Sequence, residues 1–231
     1  MPQGGLIIAV DGPSGTGKST VCRALAQLTE SKYLDTGAMY RVATLYALQQ
    51  GVDPSDTAAV IAATQTLPLV VNDDPTATTV LLNGIDVSKE IRSGEVTRNV
   101  SAVSAIPEVR TNLVALQREL ANKAQRCIVE GRDIGTVVLP DAPLKIYMTA
   151  SPEVRAHRRF EQDTAAGRDV NYLTILREIE RRDDLDSRRK SSPLRPADDA
   201  VIVDTSDMGL QEVIDYVMNL AAESAERISR P

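Results

Sequence analysis

The chain contains 231 residues with a mass of 25.0 kDa, which suits one domain or one domain with an insert. Hydrophobic residues make up 42% and charged residues 25%, ordinary values that exclude a largely disordered or collagen-like chain. The net charge of −6 argues against a nucleic-acid partner. The single histidine, His157, excludes a zinc-protease site and a Ser-His-Asp triad.

The two cysteines, Cys22 and Cys127, are too few for a disulfide scaffold, and we expect reduced thiols in the core. The apolar run at residues 6–10 is too short for a signal peptide or a membrane span, and no other run approaches that length. We therefore expect a cytoplasmic protein without a membrane partner.

The chain opens with the pattern strand, glycine loop, helix. Residues 6–10 are continuously apolar, which is typical of a buried strand, and the glycine-rich segment 12–17 follows. From Lys18 onward apolar residues recur at helical spacing. A second helix is predicted over about 38–50, with Gly51 as the residue that ends it.

Short β-type segments follow at residues 67–71, 78–82 and 85–87. Asn83-Gly84 between the last two is a strong hairpin signal. These segments predict a small antiparallel sheet, inserted at about 63–101 into an otherwise alternating chain.

The second half alternates amphipathic helices with apolar strands. The predicted elements are a helix from Pro107, strands at 127–129 and 144–148, a helix from Pro152 capped by Ser151, a helix at about 173–189, a strand at 201–203 and a helix from Leu210. Strands separated by helices predict an α/β fold with a parallel sheet flanked by helices. We expect one domain over 1–231, whose core comprises 1–62 and 102–231.

The glycine loop matches G-x-x-x-x-G-K-[ST] at every fixed position, after a strand and before a helix. Glycines let backbone N–H groups surround phosphate oxygens, and the helix N-terminus favours negative charge. Lys18 would reach the β- and γ-phosphates of ATP, and the Ser19 hydroxyl would ligate Mg²⁺. The predicted ATP-binding residues are Gly12, Pro13, Ser14, Gly15, Thr16, Gly17, Lys18, Ser19 and Thr20.

A guanine-reading segment is not evident, since the single Asn-Lys pair, Asn122-Lys123, lies inside a predicted helix. The strand at 127–129 ends instead in Glu130-Gly131-Arg132-Asp133. A basic residue directly after such a strand suits binding of a second, phosphorylated substrate.

Arginines are concentrated late in the chain. Residues 155–195 hold ten arginines, one lysine and eight acids, and are therefore net +3 in an acidic protein. We expect a short mobile lid at about 155–171, with its tip at 164–168, that closes over polyphosphate. The alternative for most of these arginines is a solvated helix face with i,i+4 ion pairs. Arg182, Asp186 and Arg189 differ, because their spacing places them on one face of the predicted helix.

Together these residues resemble the bacterial cytidylate (CMP/dCMP) kinases, from the glycine loop to the last strand. The motifs that carry the resemblance are Asp11-Gly-Pro-Ser-Gly-x-Gly-Lys, Leu34-Asp35-Thr36-Gly37-Ala38-x-Tyr40-Arg41, Asp86-Val87-Ser88-x-Glu90-Ile91-Arg92, Gly131-Arg132-Asp133-Ile134-Gly135-Thr136-Val137-Val138, Arg182-Asp183-x-x-Asp186-x-x-Arg189 and Pro193-Leu194. Thr36 departs from the serine found in many members but keeps the hydroxyl.

The resemblance implies a P-loop kinase core, a CMP-binding insert and a set of CMP contacts. Its phosphate ligands would be Arg41, Arg132 and Arg189, its ribose readers Arg182 and Asp186, and its cytosine readers Ser101, Arg110 and Asp133, with Thr36 nearby. A carboxylate can accept from the N4 amino group of cytosine but faces the O4 acceptor of uracil, so Asp133 would discriminate between the two bases.

Phosphoryl transfer then requires positioning and charge, with no protein nucleophile. Lys18, Mg²⁺ on Ser19, Arg132, Arg189 and a lid arginine, Arg155 or Arg159, would supply the charge. We expect the lid to order only when ATP and CMP or dCMP are both bound, and the protein to be a monomer. A different P-loop small-molecule kinase and a non-catalytic nucleotide-sensing module are the alternative functions.

Overall fold

The computed structural model describes residues 5–229, so residues 1–4 and 230–231 of the predicted single domain lie outside it. A five-stranded parallel sheet has the strand order β2-β6-β1-β7-β8. Its strands are β1 (Ile7–Asp11), β2 (Lys32–Asp35), β6 (Cys127–Gly131), β7 (Leu144–Thr149) and β8 (Val201–Asp204). The predicted parallel α/β sheet is therefore confirmed.

Helices cover both faces of this sheet. The helices of residues 5–229 are α1 (Lys18–Leu28), α2 (Thr36–Gln49), α3 (Thr57–Thr64), α4 (Gly94–Val103), α5 (Pro107–Ala124), α6 (Pro152–Ala165), α7 (Tyr172–Ser187) and α8 (Leu210–Ser229). Of these, α1 and α8 pack on one face of the sheet, and α2 and α5 pack on the other. In β1, Ile8 and Val10 pack toward α1 and α8, whereas Ala9 packs toward α2 and α5. Because successive strand residues point to opposite faces, the continuous apolar run in β1 serves two cores.

The insert contains a three-stranded antiparallel sheet of β3 (Leu69–Val70), β4 (Leu81–Leu82) and β5 (Ile85–Asp86). Asn83 and Gly84 both have left-handed backbone conformations, with φ of 53° and 77°, as a two-residue hairpin requires. The predicted hairpin is thus confirmed. A 3₁₀ turn (Glu90–Arg92) and α4 complete the insert, and their apolar side chains pack against α2.

Three elements escaped the sequence analysis, namely β2, α3 and α4. The strand β2 is only four residues long, Lys-Tyr-Leu-Asp, and it is strand-like because it pairs with β6 in the sheet. The predicted helix at 173–189 was also two residues too long, because α7 ends at Ser187. There the Leu194 N–H donates to the Asp186 carbonyl at 2.9 Å, so the chain turns back on itself.

None of the helices within residues 5–229 is long and apolar enough to cross a membrane. The two cysteines are buried free thiols, as predicted, and burial raises the pKa of Cys127 to about 12.

Candidate active site

The glycine loop joins the end of β1 to the first turn of α1. Gly12 has a φ of 143°, and a Cβ added there would lie 1.9 Å from the carbonyl oxygen of Met148 in β7. Gly15 and Gly17 also have positive φ, at 83° and 88°. Glycine is therefore required at position 12 by contact as well as by backbone conformation. The predicted phosphate loop is present as strand, loop and helix.

Lys18 begins α1 and is buried within the loop. Its ammonium donates to the Pro13 carbonyl at 2.6 Å and lies 3.4 Å from the Thr16 hydroxyl. Burial, followed by the positive charge of Arg132, lowers the pKa of Lys18 to about 7, while the Glu130 carboxylate opposes the shift. An anion placed beside Lys18 would stabilise its charged form. Ser19 and Thr20 follow on α1 and are exposed.

Asp11, at the end of β1, connects the phosphate loop to the segment after β6, a role not predicted from the sequence. Its carboxylate accepts the backbone N–H groups of Ile134 at 2.7 Å and Gly135 at 2.8 Å, at the start of the π-helical turn Ile134–Val138. Burial raises the pKa of Asp11 to about 6, although these two hydrogen bonds lower it. The contact ties the residue before Gly12 to the segment after β6, which carries Arg132.

An arginine cluster surrounds Asp186 near the end of α7. Asp186 is buried and is contacted by Arg189 at 2.6 Å, Arg132 at 3.2 Å and Arg182 at 3.9 Å. Burial raises the pKa of Asp186, but the three guanidinium groups outweigh burial and lower it. The Ser101 hydroxyl of α4 also donates to this carboxylate at 3.2 Å. The carboxylate therefore aligns three cations at one point.

Arg189 follows the end of α7, yet its side chain still lies beside Asp186, where a longer helix would have placed it. Its guanidinium contacts Asp186 and the Ser104 hydroxyl, the latter at 2.9 Å, and its side chain is 7% exposed. Arg188 points outward, 80% exposed, and pairs with Asp184 at 2.6 Å. The structure thus places Arg189, and not its neighbour, in the cluster, as predicted. Ser104 was missed because a buried serine has no distinguishing sequence pattern.

The cluster carries more positive charge than its carboxylate neutralises. Burial, then repulsion by Arg132 and Arg41, lowers the pKa of Arg182 to about 9. Burial lowers the pKa of Arg41 to about 10, and among its neighbours Arg132 acts in the same direction. The Nε–H groups of Arg182 and Arg189 are buried without a hydrogen-bond partner. Buried unpaired donors and mutually repelling cations favour the binding of an anion.

Arg41 joins this region to the insert. It extends from α2 and donates to the Ile91 carbonyl at 2.9 Å and to the Thr97 hydroxyl at 3.0 Å. Thr36 lies at the start of the same helix, and its hydroxyl donates to the Glu130 carbonyl at 2.7 Å. The Thr36 hydroxyl proton is therefore already engaged in a hydrogen bond within the protein.

Arg110 and Asp133 form a buried ion pair on the α5 side of the cluster, each side chain 6% exposed. The Arg110 guanidinium also lies 5.5 Å from the ring centroid of Tyr40 and donates to the Ser104 carbonyl at 3.3 Å. Burial raises the pKa of Asp133, and Arg110 is the strongest opposing influence. Two of the three predicted base readers thus contact each other, while Ser101 contacts Asp186.

The segment predicted as a lid, about 155–171, comprises most of α6 and the turn that leads to α7, with Gly167 (φ 71°) in that turn. The helices α6 and α7 pack against each other as a helical hairpin. Arg155 is buried and donates to the Ala150 carbonyl, to the Ser14 carbonyl at 3.2 Å and to Asp183 at 2.6 Å. Arg159 is half-exposed and pairs with Asp163 within the lid. Arg155 therefore braces the phosphate loop, whereas Arg159 is accessible.

An open cavity of about 370 Å³ lies between the phosphate loop and the hairpin. Its lining includes Pro13, Pro152, Arg155, Asp183 and Ser206. The described residues therefore combine a phosphate loop, an arginine cluster and a cleft beside the phosphate loop, and a transfer between two phosphorylated ligands would need two such anion sites.

Comparisons with known proteins show the family to which this chain belongs. A family model described as Cytidylate kinase matches residues 8–223. The cytidylate kinase of Corynebacterium glutamicum is 68% identical over 227 residues, covering 98% of this chain and 99% of that protein. The cytidylate kinase of Corynebacterium diphtheriae is 64% identical over 230 residues, covering 100% of both. A solved gluconokinase structure from Sinorhizobium meliloti 1021 has a TM-score of 0.51 at 16% identity, covering 98% of this chain and 97% of its own, which is a likeness of fold alone.

Proposed function

Because this chain belongs to the cytidylate kinase family, we propose that it transfers the γ-phosphoryl group of ATP to CMP or dCMP. The products are ADP and CDP or dCDP, which places the enzyme in pyrimidine nucleotide metabolism. The observation that carries the proposal is the arginine cluster around Asp186, because a nucleotide-sensing module would need the phosphate loop but no second anion site.

ATP binds at the phosphate loop. The backbone N–H groups of residues 12–17 surround its phosphates, and Lys18 leaves the Pro13 carbonyl for the β- and γ-phosphate oxygens. Since burial lowers the pKa of Lys18, bound phosphates would stabilise its charged form.

Mg²⁺ suits the oxygen donors of this site. The Ser19 hydroxyl is exposed at the start of α1 and faces the Glu130 carboxylate, with Asp35 on the neighbouring strand. Mg²⁺ commonly takes most of its ligands from water and phosphate, so it needs few side-chain ligands from the protein. We assign Ser19 as the protein ligand. The ion supplies neutralisation of charge on the transferring phosphoryl group.

CMP binds at the arginine cluster. Arg41, Arg132 and Arg189 take its phosphate, since their guanidinium groups form charge-assisted hydrogen bonds with anionic oxygens. Arg182 and Asp186 read the ribose. The unpartnered Nε–H groups of Arg182 and Arg189 are donors available for this purpose.

Cytosine is read by Ser101, Arg110 and Asp133, with Thr36 at the edge of the site. The Asp133 carboxylate accepts from the N4 amino group, and Arg110 and Ser101 donate to the ring acceptors. Uracil presents O4 to the same carboxylate, so two acceptors face each other and the affinity falls.

Catalysis consists of alignment and charge stabilisation. Lys18, Arg132 and Arg189 would supply positive charge to the transferring group, and a lid arginine, Arg155 or Arg159, would complete the charge when the hairpin closes. Since Arg155 already holds the Ser14 carbonyl, it also transmits lid position to the phosphate loop. We propose that closure requires both nucleotides, and that the enzyme acts as a monomer in the cytoplasm, which sedimentation and cell fractionation test.

The test is ADP release with ATP and Mg²⁺ against CMP, dCMP, UMP, AMP, GMP and no acceptor. Turnover with CMP and dCMP alone supports the proposal. Equal turnover with UMP removes Asp133 as a discriminator, and turnover with a different acceptor indicates another P-loop kinase. ATP binding without acceptor-dependent turnover would leave a nucleotide-sensing module.

A further inference from the structure

Tyr33 and Glu130 form a buried pair directly behind the phosphate loop. Tyr33 lies on β2, is 2% exposed and donates its hydroxyl to the Glu130 carboxylate of the neighbouring β6. Glu130 is itself 3% exposed. A buried carboxylate requires donors to hold its orientation, so this hydroxyl fixes one oxygen of the Glu130 side chain.

The same carboxylate adjoins the two phosphate-loop side chains that meet ATP and its metal. The Lys18 ammonium and the Ser19 hydroxyl both act to lower the pKa of Glu130, against burial and the Asp35 carboxylate, which raise it. Glu130 therefore competes with bound phosphate for Lys18 and with the metal for Ser19. The strength of this competition depends on the hydrogen bond that the Glu130 carboxylate already accepts from the Tyr33 hydroxyl.

Tyr33 is also the point at which the insert contacts this pair. Arg23 of α1 lies with its guanidinium carbon 4.4 Å from the centroid of the Tyr33 ring. The same guanidinium donates to the carbonyls of Ala77 at 2.6 Å and Pro75 at 3.1 Å, in the segment between β3 and β4. The Tyr33 N–H donates to the Asp73 carbonyl at 2.9 Å. Three contacts thus connect residues 73–77 to Tyr33.

We propose that Tyr33 is a positioning residue for phosphoryl transfer: its hydroxyl fixes the Glu130 carboxylate and weakens the hold of Glu130 on Lys18 and Ser19, and Arg23 makes this arrangement depend on the docked insert. The inference rests on the proposed function. The contacts form a path from residues 73–77 of the insert through Arg23, Tyr33 and Glu130 to the phosphate loop, by which the insert would affect ATP binding.

Tyr33→Phe tests the hydroxyl alone, because the ring that Arg23 covers is retained. Without this donor, Glu130 pairs more strongly with Lys18 and Ser19. We expect kcat to fall about tenfold with the KM for CMP changed less than twofold. We also expect the affinity for a non-hydrolysable ATP analogue, measured by calorimetry, to fall about tenfold with Mg²⁺. If Tyr33 had only a structural role, Tyr33→Phe would lower the unfolding temperature but would leave kcat, the KM for CMP and the affinity for the analogue unchanged.

Arg23→Gln should reproduce the Tyr33→Phe loss of analogue affinity in part, and the double variant should lose less than the sum of the two single losses. Lys32→Gln is the matched control, because its exposed ion pair with Asp73 spans the same junction without reaching Tyr33. Tyr216→Phe on α8 controls for the loss of a tyrosine hydroxyl.

Wild-type protein without CMP-dependent turnover would refute the proposed function itself. Active wild-type protein with a Tyr33→Phe variant of unchanged kcat and analogue affinity would refute only the positioning role. Fully additive losses in the double variant, or an equal loss in Lys32→Gln, would refute the path through Arg23.

Discussion

Adjacent arginines at 188 and 189 provide a direct test of the arginine cluster. Arg189 is 7% exposed and contacts Asp186 at 2.6 Å and Ser104 at 2.9 Å. Arg188 is 80% exposed and contacts only the surface carboxylate of Asp184 among its ion-pair partners. The two residues have the same chemistry and neighbouring positions in the chain, so the pair of alanine substitutions separates location from charge.

Arg189→Ala removes one fixed donor for a developing phosphoryl charge, which is worth about 2.7–4 kcal/mol in a site closed to water, or about 10²–10³ in kcat. Arg132 still compensates the buried Asp186, so the fold should persist. Arg188→Ala removes an exposed i,i+4 pair worth at most about 0.5 kcal/mol, and its activity should equal the wild type.

Steady-state ADP release at saturating ATP and CMP measures kcat for both variants, and urea denaturation confirms that both are folded. Equal losses in the two variants would show that net charge, and not the buried cluster, matters. Loss in Arg188→Ala alone would mean that the wrong arginine has been placed at the phosphate.

Three further predictions concern stability. Gly12→Ala should prevent stable folding or abolish ATP binding, because the added Cβ would lie 1.9 Å from a backbone oxygen. At Gly17 an added Cβ would meet nothing within 4 Å, so Gly17→Ala should lower the free energy of unfolding by only about 1 kcal/mol, owing to its positive φ. Calorimetric unfolding distinguishes the two variants. Asp133→Ala leaves Arg110 buried and unpaired and should cost about 3–5 kcal/mol in urea unfolding, with Arg110→Met/Asp133→Leu recovering much of that loss. The pKa of Asp11 is raised by burial to about 6 from 3.8, so its contribution to stability is complete below pH 3.8 and is lost as the pH rises through 6. Relative to wild type, Asp11→Asn should therefore gain about 3 kcal/mol in unfolding free energy between pH 3.8 and 7, and a difference that does not vary with pH would contradict the buried, raised pKa.

The local elements were largely predictable because their signals are local. The apolar run of β1, the proline starts of α5 and α6 and the Asn83-Gly84 hairpin each depend on backbone preferences of neighbouring residues. The short strand β2 was not predictable in this way. Tyr33 favours strands, but two apolar residues between a lysine and an aspartate are too short a run to predict one. The conformation of β2 follows from pairing with β6, almost a hundred residues later.

The residues of the candidate site also fall into two groups, those with a local sequence signal and those that act on a distant partner. The phosphate loop is contiguous, so its glycines, Lys18 and Ser19 could be assigned from their spacing. Helix spacing grouped Arg182, Asp186 and Arg189, and the resemblance to cytidylate kinases gave the CMP contacts their individual roles. Asp11 and Tyr33 received no role, since each acts on a partner far away in the chain. Arg155 shows the converse case, because its residue type suggested a catalytic lid residue, and only the folded chain shows that its buried guanidinium also contacts the Ser14 carbonyl.

The amino-acid sequence by itself determined the fold class, the phosphate loop and the family, because short-range spacing and chain-long identity carry that information. Tertiary structure alone decided which charges meet. Arg189 contacts Asp186 although it lies beyond the end of α7, and Arg110 pairs with Asp133. Tyr33 on β2 donates to Glu130 on the neighbouring strand β6. The energies of such contacts depend on burial and on partners distant in sequence, and these quantities exist only once the chain is folded.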